Sequence, residues 1–90
     1  MNRNMMKQAQ QLQAKLFQIQ QELESLTVEG TSGGGVIKIE VTGKQEVKTV
    51  MIDPEATEEI ELLQELVLTA INDAMEKTQQ LASEKMGAVT

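Results

Sequence analysis

Between Arg3 and Leu26 the chain has no Gly or Pro. Its apolar residues Met5, Ala9, Leu12, Leu16, Ile19, Leu23 and Leu26 follow one another at steps of 4, 3, 4, 3, 4 and 3. That spacing forms one heptad seam along an α-helix. The residues between are largely glutamines (Gln8, Gln10, Gln11, Gln13, Gln18, Gln20 and Gln21), good helix formers that leave the outer faces polar and mostly uncharged. Such a helix reaches ~33 Å, too long to lie entirely on a small sheet, so part of it is expected to project or to pair with another helix. Phe17 falls off the seam and is expected to touch the sheet or a partner.

The period then changes. Thr27-Val28-Glu29-Gly30 predicts a short strand and Thr31-Ser32-Gly33-Gly34-Gly35 a turn. Val36 to Thr42 alternates, with Ile37, Ile39 and Val41 on one face. Gly43-Lys44 predicts a hairpin turn into residues 45–52, where Val47, Val50, Met51 and Ile52 do not alternate cleanly, as if both faces were covered at the strand's end. Asp53 is placed to cap a first helical turn with Pro54 at its N1 position. From about Glu58 to Lys85 a second helix carries a broad stripe: Leu62/Leu63, Leu66/Val67, Ala70/Ile71, Ala74/Met75 and Leu81/Ala82. Such a stripe suits packing on a sheet. Gly87 is the expected stop, with fraying beyond it. The fold class is α+β, a single domain over residues 1–90 in the order helix, three antiparallel strands, helix.

Ninety residues make a thin core, and with neither Cys nor His the usual staples, disulfides and metals, are missing, which leaves oligomerisation as the default. Lack of Cys and a polar N-terminus suggest a cytoplasmic protein, and no run approaches the length of a membrane span. The formal charge of −6 is unevenly spread: residues 1–21 carry Arg3, Lys7 and Lys15 with no acid, whereas residues 22–90 hold five bases against 14 acids, a net −9. The first helix therefore begins as a locally cationic prong on an acidic body, able to meet phosphates.

Catalysis finds little support, because the chain has no His, Cys or Tyr and no nucleophile elbow. The acids Asp53, Glu55, Glu58, Glu59, Glu61 and Glu65 fit a solvated helix start. The Gly-rich stretch 30–35 lacks the G-K-[ST] of a phosphate loop and runs into a strand, so it is read as a turn. No cofactor, metal or small-molecule substrate is expected. Asn72-Asp73, on the polar side of the second helix, suggests packing or a hydrogen bond to a neighbouring chain.

Three segments together resemble the YbaB/EbfC family: Met6-Lys7-Gln8-Ala9-Gln10-Gln11, then Val28-Glu29-Gly30-Thr31-Ser32-Gly33-Gly34-Gly35, then Leu63 to Ala74 in the second helix, followed by Lys85-Met86-Gly87. The resemblance runs nearly end to end. It implies a bacterial nucleoid-associated protein that binds double-stranded DNA as a homodimer, with long helices projecting from a joined sheet core like the arms of tweezers. On these residues it implies phosphate contacts from Arg3, Lys7 and Lys15, hydrogen bonds from Gln8 and Gln11, and secondary contacts from Lys77 and Lys85. The core or dimer contacts are expected from Leu12, Leu16, Ile19, Leu23, Ile37, Ile39, Val41, Val50, Ile52, Leu63 and Val67. Many relatives have a longer Gly-rich start and a Pro/Met-rich tail, so contacts from such tails are not expected here.

A rival is a protein-interaction scaffold or holdase-like module. Met5, Met6, Leu12, Leu16 and Phe17 offer it an adaptable apolar surface, and the acidic body resists DNA.

Overall fold

The computed structural model describes residues 2–87. Helix α1 spans Arg3–Ser25, strands β1, β2 and β3 span Thr27–Ser32, Ile37–Thr42 and Val47–Ile52, and helix α2 spans Ile60–Gly87. The architecture is α-β-β-β-α, as the sequence predicts. Asn2 starts α1, its side-chain oxygen accepting the Met5 amide at 2.8 Å. The expected fraying after Gly87 concerns residues outside those described.

The strands form one antiparallel sheet in the order β1-β2-β3. Ile39 lies opposite Gly30 on one side and Val50 on the other, while Ile37 lies opposite Ser32 and Ile52. Residues opposite one another share a face. Helix α2 packs mainly on β1 and β2, and Ile37, Ile39 and Val41 are buried beneath its Ala70 and Ala74. Gly30 permits this closeness, because a Cβ there would collide with the Ala70 carbonyl oxygen and the Ala74 side chain. Leu63 and Val67, expected in the core, are half-buried at its margin.

Several expectations need correction. The first strand continues to Ser32, whose hydroxyl donates to the Leu66 carbonyl, and the turn narrows to Gly33–Gly35, all at positive φ. Val36 ends this turn instead of starting β2. Asp53 caps a separate 3-10 turn, Pro54–Thr57, and α2 starts only at Ile60. Leu26 lies just past α1 and does not extend its seam. Phe17 is 62% exposed. In the second hairpin the left-handed residue is Gln45, at φ 66°, and Gly43 serves instead to let the Leu23 backbone approach.

The uneven pattern of β3 has a local cause. Val41 pairs with Val47 but Glu40 pairs with Thr49, so Lys48 is an extra residue in a β-bulge. The bulge returns Val47 to the face shared by Val50 and Ile52. That face is not covered: Val47 is 48%, Val50 55% and Ile52 38% exposed, because α2 lies over the other two strands. The strand's end is thus open, contrary to its expected burial.

Candidate nucleic-acid interface

Helix α2 runs back along α1 and β1. Going up α2, Leu66 meets Ser32, Asp73 meets Thr31, Lys77 meets Glu29, and Lys85 meets Glu22. Only the last part of α1 is therefore held, with Ile19 and Leu23 buried and Leu16 half-buried. Every described residue before Leu16 is exposed. Residues 3–15 form an arm about 20 Å long at a helical rise of ~1.5 Å, on a molecule measuring 66 × 17 × 16 Å.

This arm carries Arg3, Lys7 and Lys15. None of the three forms an ion pair among the described residues. With Gln11 they recur every four residues, a stripe that drifts by about 40° per step. Gln8 borders it. Arg3, Lys7 and Gln11 lie away from the apolar seam of Met5, Ala9 and Leu12, Lys15 lies at its border, and all three cations are exposed. No acid occurs before Glu22, and the acid-rich start of α2 lies at the opposite end because the two helices run in opposite senses.

Lys77 and Lys85 are placed differently. Lys77 donates to the Asp73 carboxylate at 3.0 Å and to the Glu29 carbonyl at 2.8 Å, and Lys85 lies 3.4 Å from Glu22. Both already balance an acid or a carbonyl, away from the arm's outer stripe.

Asp73 has a structural task within its own chain. Its carboxylate accepts the Thr31 amide at 2.9 Å. That bond, followed by the bond from Lys77, holds its pKa below the ordinary 3.8. Thr78, 1% exposed, was not singled out by the sequence; its hydroxyl accepts from Gln45 at 3.3 Å and donates to the Met75 carbonyl at 2.7 Å. Among the described residues no group of acids is gathered to hold a metal, and no helix is long and apolar enough to cross a membrane.

Known proteins resemble this chain in sequence and in fold. A nucleoid-associated protein of Dictyoglomus turgidum is 48% identical over 87 residues, covering 94% of this chain and 84% of its own. Another, from Chloroflexus aurantiacus, is 46% identical over 90 residues, covering 98% and 90%. The crystal structure of the uncharacterized protein HP0035 from Helicobacter pylori shares the fold with a TM-score of 0.82 at 19% identity, over 93% of this chain and 91% of that one. Residues 1–90 match the YbaB/EbfC DNA-binding family, and the chain belongs to that family.

Proposed function

We propose that this protein is a cytoplasmic, nucleoid-associated homodimer that binds double-stranded DNA without catalysis, mainly through the phosphate backbone, and so helps to organise the nucleoid or modulate transcription. The observation that carries this reading is the acid-free arm with its stripe of Arg3, Lys7 and Lys15. These cations contact phosphates, and Gln8 and Gln11 hydrogen-bond to backbone or base edges. Lys77 and Lys85 contribute only in a secondary way, since each is already engaged.

An acidic protein can bind a polyanion in this way because of distance. The screening length is about 8 Å at physiological salt, much shorter than the ~20 Å arm, so phosphates at the tip interact little with the acids of the body. The homodimer is supported by the uncovered β3 face: Val47, Val50 and Ile52 continue the buried face of β2 and need a lid that the described residues do not supply. A second copy offers a matching surface by symmetry.

The test is fluorescence anisotropy of a labelled ~30 base-pair duplex across a salt series, where the log-log slope counts displaced counterions. Saturable binding that weakens steeply with salt is expected, with a loss greater than about tenfold in a Lys7→Glu/Lys15→Glu variant of unchanged dimer mass. Unchanged binding by that variant refutes the arm as the surface. Binding of unfolded clients that survives added salt, with no duplex binding, favours the scaffold reading instead.

A further inference from the structure

The seam of α1 is only half used. Its C-terminal residues Ile19 and Leu23 are buried, whereas Met5 is 54% and Leu12 48% exposed in the same register. The exposed half thus continues an existing packed seam. A helix with the same heptad spacing, apolar at its centre and without a like charge against Lys15 at its border, fits it.

A second copy of the arm meets these conditions when it lies antiparallel. Heptad geometry then sets Ala9 against Leu12 of the second copy and Met5 against Leu16, with the same two layers repeated by symmetry. Small meets large in the central layers. Lys15 comes beside Gln8 of the second copy, so no like charges are opposed at the border. Arg3 and Lys7 remain on the outer faces, open to phosphates. Antiparallel overlap leaves the two bodies at opposite ends of the pair, which requires the arms to come from different dimers.

We propose that arms of separate dimers pair along Met5, Ala9, Leu12 and Leu16, so that linked dimers hold two DNA duplexes together. The tethering of duplexes rests on the DNA-binding reading above; the pairing of arms does not. Four layers make a weak contact by themselves, and gathering of dimers on DNA raises their effective concentration enough to favour it.

Two measurements on the full chain separate these parts. In the first, a bead-bound duplex saturated with protein is offered a second, fluorescent duplex. Capture of the second duplex is expected, and a Met5→Gln/Leu12→Gln variant should keep single-duplex affinity within about twofold while losing capture by at least about tenfold. Equal capture by the variant, or a native protein that binds one duplex and captures no second, overturns the proposal. In the second, DNA is absent. The chain has no cysteine, and Ala9 of one arm faces Leu12 of the other, so an equal mixture of Ala9→Cys and Leu12→Cys proteins reports seam contact cleanly on oxidation. The native mass should at least double relative to the unoxidised mixture, even if duplex binding itself fails. An unchanged mass means that the arms do not join separate dimers, and overturns the pairing.

Discussion

Asp73 holds Thr31 in place: a carboxylate on α2 accepts the backbone amide of β1 at 2.9 Å and is itself fixed by Lys77 one helical turn later. The folded state favours the charged carboxylate, since Asp73 has a pKa below 3.8 there. A depressed folded pKa adds stability above the unfolded value and loses it as pH falls through the folded value. An Asp73→Asn variant should therefore melt below the native protein at pH 7. The gap should narrow as pH drops below about 3.9, measured by circular dichroism at matched concentration.

Gly30 is the contact point between β1 and α2. A Gly30→Ala variant should lose about 1–3 kcal/mol or more, because the added methyl meets the Ala70 backbone rather than a yielding side chain. Urea unfolding of the two proteins measures the difference. Gly34, with open space where its Cβ would be, tests a different cost: Gly34→Ala strains only the backbone at φ 72°.

The uncovered β3 face predicts the effect of one charge. Val50→Asp should convert the proposed dimer to a chain of 9.9 kDa in sedimentation while retaining the helical signal. A dimer that persists with normal stability would show that the chains join elsewhere.

Salt should act in two regimes. With three phosphates contacted by each subunit, the log-log slope near physiological salt should be about −5 for the dimer, and Lys7→Gln should reduce its magnitude by about 2. At about 10 mM salt the screening length reaches about 30 Å, beyond the arm's own length, and the acids of the body then oppose the phosphates. Affinity should stop rising there, so the anisotropy series should bend over at its lowest salt points.

The order of elements, the α1 seam and the inner face of β2 were legible because each depends on a short repeat within its own segment. The cationic arm was legible as a charge asymmetry, though its projection became clear only once α2 was seen to end beside Glu22. The open face of β3 was hidden, because the bulge at Lys48 follows from pairing with β2 and not from its own alternation. Lys77 and Lys85 were expected only as secondary contacts, and their engagement was hidden for the same reason: the Glu29 carbonyl and the Glu22 carboxylate come from distant segments. Gly43 resembled a turn glycine, and nothing local revealed that its missing side chain makes room for Leu23.

The opposed running of α1 and α2 has an electrical consequence. With positive charge at one tip of a 66 Å body and the acid-rich start of α2 at the other, each chain carries a permanent moment along its long axis. A duplex exerts a torque on that moment before contact, turning the tip inward and the acid-rich end away. Productive collisions are thereby enriched, so charge changes at the acid-rich end, away from the phosphates, should alter how fast the protein arrives more than how long it stays.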